Sequence, residues 1–193
     1  VPGERVRLFA ALDLPDQVRH ALVAWRAPLL DGEPRLLRPV APEALHVTLC
    51  FLGQLDAGEV EAIGAATVAA AGDEPLDALA LSGALWLPRR APRVLAVGLV
   101  DRDGALSRLQ ARVAGALAAG GWFAPEARPY LPHVTVARVR TRGNERAARE
   151  LARAPLPPVP PLAFAGAAVT LYRSHLGGGR GARYEPLARA ALR

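Results

Sequence analysis

His46-Val47-Thr48-Leu49-Cys50-Phe51-Leu52-Gly53 returns in altered form as His133-Val134-Thr135-Val136-Ala137-Arg138. Both runs are apolar and rich in β-branched residues, and both read as strands. Side chains alternate across a strand, so a His and a Thr two residues apart share one face, about 7 Å apart. Two such strands laid side by side present two imidazoles and two hydroxyls to the same space. The fold therefore turns on what surrounds each copy.

Outward from the motifs the elements repeat. Residues 5–12 read as a buried strand and 14–30 as a helix, with Asp13 expected as its cap and Pro15 in its first turn. The first motif strand spans 45–52 and ends at Gly53; Asp56 opens a helix to Ala71, and 76–87 supplies one or two strands. The second half restarts with a strand at 93–99, a helix to Ala119 capped by Asp103, the motif strand at 131–139 and a short helix at 144–153. Arg7-Leu8-Phe9-Ala10 and Arg93-Val94-Leu95-Ala96 lie 86 residues apart, and the two motif histidines 87 apart. Near-equal offsets predict a duplicated strand–helix–strand unit. Residues 155–161, five of them proline, form an extended connector. Two further strands, 167–173 and 183–187, flank a loop at Gly177–Gly181 that would form a turn or a rim over a cleft.

The chain has 193 residues, enough for one domain with its own core. It contains no lysine, so its 24 basic residues are all arginine, which excludes a lysine nucleophile. The net charge of +6 favours an anionic partner, nucleic acid or nucleotide, although an arginine-rich genome gives the same number. Aromatics at 5% suit a short end or a single nucleotide better than a long stacking platform. Cys50, the lone cysteine, excludes a disulfide framework and reads as a small buried hydrophobe. No run approaches a membrane span and no signal pattern begins the chain, so a cytoplasmic location is expected.

A single strand histidine is most often a satisfied polar group, but two in matching contexts point to chemistry. His20 and His175 lack that context. No His-Glu-x-x-His, Gly-x-Ser-x-Gly or Gly-Lys-Ser/Thr signature is present, so zinc, serine-triad and P-loop chemistry are not indicated. Metal-free acid–base catalysis fits, because one neutral and one protonated imidazole coexist near pH 7. Opening a cyclic phosphodiester needs that pair: a base for water and an acid for the leaving ribose oxygen. Thr48 and Thr135 would hold the non-bridging oxygens, and Arg138 would offset their charge. These residues do not say which histidine is the acid.

At these residues the chain resembles the 2H phosphoesterase superfamily, and within it the RNA 2′,3′-cyclic phosphodiesterases, historically called 2′-5′ RNA ligases. The resemblance rests on 7–12, on Pro42 to Leu49 with Phe51-Leu52-Gly53, on Arg128 to Arg138, and on Leu171-Tyr172-Arg173-Ser174. It implies a bilobal α+β fold, a single domain over 1–193 built of two interleaved lobes, each with an antiparallel sheet, and a cleft between them. It implies cofactor-free hydrolysis of an RNA terminal 2′,3′-cyclic phosphate to a 2′-phosphate, His46 as proton donor and His133 as acceptor. RNA ends or small cyclic nucleotides are the implied partners, with no obligatory protein partner. Two departures stand out: Arg38-Pro39-Val40 where the family often has Trp, and Cys50 where it often has Lys. Phe9, Phe51 and Tyr130 are candidate stacking partners for a base, with core packing as the competing use of each. ATP-independent 2′-5′ ligation and a non-catalytic RNA- or nucleotide-binding module are the rival readings.

Overall fold

The computed structural model describes residues 3–72, 75–125, 127–140, 144–177 and 181–192. The chain runs β1 (Arg5–Asp13), α1 (Asp16–Gly32), β2 (Leu37–Pro39), β3 (His46–Asp56), α2 (Val60–Ala71), β4 (Leu79–Leu87) and β5 (Val94–Asp101). It continues through α3 (Ala105–Ala119), β6 (His133–Val139), α4 (Glu145–Leu151), β7 (Ala163–Phe164), β8 (Ala168–Gly177) and β9 (Gly181–Ala191).

All strand pairs are antiparallel, in the order β7-β4-β5-β6-β3-β1-β8-β9, with β2 paired to β6 on the edge opposite β5, beyond the short β3 contact. The α+β class expected from the sequence is therefore the observed one. The two sheets, however, are hydrogen-bonded into one path. The half containing β1, β3, β8 and β9 meets the half containing β4–β7 at a single register pair, Val47↔Val134. That join occurs because the two motif strands themselves are neighbours. The chain crosses between halves repeatedly, with β1 and β3 in one and β2 between them in the other.

β1 sits in the middle of its half, paired to β3 on one side and β8 on the other. Burial accordingly runs unbroken from Leu8 to Asp13, as expected for a strand covered on both faces. Helix α2 packs on β8 and β9, α3 on β3 and β5, and α1 on β2 and β6. Gly64 permits the close approach of α2, since a Cβ there would lie 3.0 Å from the Ala188 Cβ. Fully buried Leu8, Leu12, Ile63, Leu109 and Leu171 fill the space between helices and sheet.

Several local expectations change. Asp13 does not cap α1: it is the last residue of β1, Pro15 occupies the N-cap position, and no side chain caps that end. Gly53 does not end β3. Its φ of 75° lets the chain pass the irregular β1–β3 register near Leu8 and Phe9 and continue to Asp56. Asp56 does accept from the Gly58 N–H at 2.8 Å, but a short 3-10 turn intervenes before α2. Gly104, not Asp103, occupies the N-cap position of α3; Asp103 just before it accepts from the Ala105 N–H at 3.2 Å, and Asp101 accepts from the Leu106 and Ser107 N–H groups. The last two strands are longer than expected and form one hairpin. Pro186 is tolerated within β9 because β9 is the edge strand. The tip of the Gly177–Gly181 loop, residues 178–180, lies outside the described residues.

Candidate active site

The Val47↔Val134 pair sets the geometry. Both valines are fully buried. Their neighbours on each strand therefore point the other way, and all four motif side chains share one face. Extending the antiparallel register by one residue places His46 opposite Thr135 and Thr48 opposite His133. The site is a pseudo-two-fold arrangement across the only hydrogen-bonded seam described between the halves.

Each imidazole is fixed in the same way. The Nδ1 of His46 lies 2.8 Å from the Ala44 carbonyl oxygen, and that of His133 lies 2.8 Å from the Leu131 carbonyl oxygen. A carbonyl only accepts, so each Nδ1 carries a hydrogen and donates it. Each neutral ring thus has its lone pair on Nε2. The Nε2 of His46 is 3.1 Å from the Thr48 hydroxyl, which supplies the proton of that bond while the ring is neutral. The repeated backbone anchor, two residues before each histidine, is the tertiary counterpart of the repeated motif.

His46 is walled by rings: Phe9 at 4.9 Å between centroids, Tyr184 at 5.4 Å edge-on and Tyr172 at 6.4 Å. Burial is the main cause pushing its pKa down to about 4, and the charges of Arg138 and His133 push the same way. The bond to Ala44 and the charge of Asp13 oppose that shift. His46 is therefore neutral at pH 7 in the free protein. The influence of Arg138 on His46 also places that otherwise exposed guanidinium within electrostatic reach of the site.

The three aromatic candidates separate. Phe9 is 3% exposed and is packed by His46, Tyr172 and Tyr184, leaving no open face. Tyr130 is part-buried and its hydroxyl donates to the Thr48 carbonyl at 3.1 Å, bracing the strand that carries the first motif. Phe51 is 48% exposed, with the Arg7 guanidinium 4.6 Å above its ring. Only Phe51 offers free aromatic surface.

Cys50 is buried, and burial pushes its thiol up to about 12, so it supplies no thiolate. His175 pairs with Glu185 at 2.7 Å on the hairpin. Among the described residues no three His, Cys, Asp or Glu side chains converge as metal ligands. Sequence reasoning missed Asp13, Tyr172 and Tyr184, which neighbour His46 from β1, β8 and β9, and Thr170 and Arg189, which bond the Asp13 carboxylate. One signal was available: Asp13 ends an otherwise apolar run, where a carboxylate must find partners if it is buried.

The chain matches the family model described as the 2′-5′ RNA ligase superfamily over residues 14–178. It is 35% identical to the RNA 2′,3′-cyclic phosphodiesterase of Escherichia coli K12 over 191 residues, 98% of each chain. The enzyme of that name from Thermus thermophilus is 29% identical over 82% of this chain and 75% of its own. The crystal structure of E. coli LigT complexed with 3′-AMP superposes with a TM-score of 0.77 at 32% identity, covering 98% of this chain and 99% of the other. The family match takes in both motif strands and β8. With two anchored histidines, two threonines and one shared seam, the chain belongs to the 2′-5′ RNA ligase superfamily.

Proposed function

We propose that this protein hydrolyses the terminal 2′,3′-cyclic phosphate of RNA to a 2′-phosphate, without a metal, using His46 and His133 as an acid–base pair. The observation that carries this reading is the shared face of the motif strands. It presents two Nε2 atoms, each on a ring held by a backbone carbonyl, with one threonine per histidine. The homologues named RNA 2′,3′-cyclic phosphodiesterase support the general reaction.

In the reaction, one imidazole takes a proton from water as the water oxygen bonds to phosphorus. The P–O3′ bond breaks and the second imidazolium gives its proton to O3′, leaving the phosphate on O2′. Thr48 and Thr135 hydrogen-bond the non-bridging oxygens, and Arg138 offsets their growing charge. Phe51, backed by Arg7, stacks the terminal base. The substrate is an RNA end or a small cyclic nucleotide.

His46 is assigned as donor and His133 as acceptor. Because His46 is neutral in the free protein, its proton must arrive with the substrate: an anionic phosphate beside Nε2 favours the charged ring. The same observation favours a second reading in which the roles are exchanged and neutral His46 activates the water. NMR of the His46 imidazole at about pH 7, with a non-hydrolysable 2′,3′-cyclic phosphate analogue bound, separates them, since the first requires a protonated His46 in that complex and the second a neutral one.

The function itself is tested with an oligonucleotide ending in a 2′,3′-cyclic phosphate, in EDTA, with the product read by phosphorus NMR. Conversion to a 2′-phosphate, lost by at least about 100-fold in His46→Ala and in His133→Ala, is expected. Activity only with added metal, full activity in either variant, or tight RNA binding without turnover from about pH 5 to 9 would overturn the proposal.

A further inference from the structure

Asp13 is a carboxylate without the job its position in the sequence suggested. It is 8% exposed, inside a sheet face otherwise lined by rings and small residues. It accepts from the Thr170 hydroxyl at 2.9 Å, from the Tyr172 hydroxyl at 2.8 Å and from Arg189 Nε at 3.3 Å. These donors come from β8 and β9, on the side of β1 away from β3. On the β3 side, Asp13 is the register partner of His46. No hydrogen bond joins the two, because Nδ1 of His46 is committed to Ala44 and Nε2 faces Thr48.

A buried carboxylate costs free energy unless it is well partnered, and three donors from two strands meet that need here. Tyr172, held by Asp13, stacks on Phe9 at 5.3 Å between centroids, and Phe9 in turn lies against His46. The carboxylate thus does two things: it holds the ring wall in place and puts a fixed negative charge beside the histidine.

We propose that Asp13 is a positioning residue for His46, stabilising the imidazolium that forms there during turnover while Thr170, Tyr172 and Arg189 hold the carboxylate in place. The inference rests on the proposed acid–base role of His46 and applies whichever partner His46 is, since as donor or as acceptor it must carry a proton at one stage. Around His46, Asp13 supplies the negative charge from β1. Arg138 and His133 face it from β6 with positive or titrating charge, and Tyr172 and Tyr184 from β8 and β9 present neutral rings. Asp13 is thus the one acidic group that acts on His46 among those residues.

The test is the pKa of His46 itself, followed by NMR of the imidazole in the full chain, in Asp13→Asn, Thr170→Val and Arg189→Gln. Asp13→Asn should lower it by about one unit, because the charge is lost. Thr170→Val removes one donor but leaves the charge, and should shift it by less than about 0.3. Arg189→Gln removes the positive charge that offsets Asp13, and should raise it by a few tenths. A purely structural role would instead leave the pKa unmoved, or move it alike in Asp13→Asn and Thr170→Val. Either result overturns the proposal. Should Asp13→Asn fail to fold, Arg189→Gln decides, since an unchanged or lowered value is then contradictory. Turnover is scored separately: a shifted pKa in a protein that hydrolyses nothing removes the phosphodiesterase reading and leaves the Asp13–His46 coupling standing.

Discussion

Acid should unfold this protein in part through His46. Burial holds that imidazole down to about 4, against 6.5 for an unperturbed histidine. In the unfolded chain the ring regains its ordinary affinity for protons. Between about pH 6.5 and 4 the unfolded state therefore binds more protons than the folded one, and stability rises with pH across that window. Read downward, the contribution is fully present above pH 6.5 and is lost as pH falls toward 4. At 1.36 kcal/mol per pKa unit the loss is about 3 kcal/mol, and the water-facing edge of the ring lowers it to roughly 2. Against the roughly 5 to 15 kcal/mol of net stability typical of a domain, that is a substantial change. The assay is urea unfolding of the wild type and of His46→Asn at several values between about pH 7 and pH 4. Subtracting the two series removes every other titrating group. The wild type should lose roughly 2 to 3 kcal/mol more than the variant, and inorganic phosphate should reduce that difference by favouring the charged ring. Two parallel curves, within about 0.5 kcal/mol throughout, would refute the burial argument.

Three other outcomes follow from single contacts. Thr48→Val keeps the shape of the side chain but removes the hydroxyl beside Nε2 of His46, and should lower kcat by roughly 10- to 100-fold with little change in the melting curve. Phe51→Ala should raise KM for an oligonucleotide several-fold with kcat nearly unchanged, because a stacked base contributes about 1 to 3 kcal/mol of binding; an equal fall in kcat would place Phe51 in the chemistry instead. Gly53→Ala meets open space at its Cβ, so its cost is the left-handed backbone alone: about 1 to 2 kcal/mol, read as a fall of a few degrees in Tm with turnover retained.

Much of the site was legible because it repeats. Two His-x-Thr runs in strand contexts place four polar side chains on alternating positions, and a strand leaves no freedom about which face they share. The contact of Asp103 with the start of α3 was legible for a similar reason, since it needs only the backbone two residues on, whereas the Asp101 contacts were not read. Asp13 shows the opposite case. Next to Leu14-Pro15 it reads as a helix cap from local chemistry, but its three donors are Thr170, Tyr172 and Arg189, more than 150 residues away. Phe9, Phe51 and Tyr130 were equivalent as aromatics in strand-like surroundings. Packing separated them into a wall, an open ring and a brace.

The sequence by itself determined the chemistry on offer: two imidazoles and two hydroxyls at fixed spacing, an arginine close behind, and no lysine, P-loop or paired cysteines. It also determined the alternation of strand and helix, because hydrophobic periodicity and caps are local properties. Only the tertiary structure decided that the motif strands meet at Val47 and Val134, with each histidine in register opposite the other strand's threonine. It alone decided that His46 is enclosed by rings and starts neutral, since burial and long-range charge are properties of neighbours brought together from distant parts of the chain.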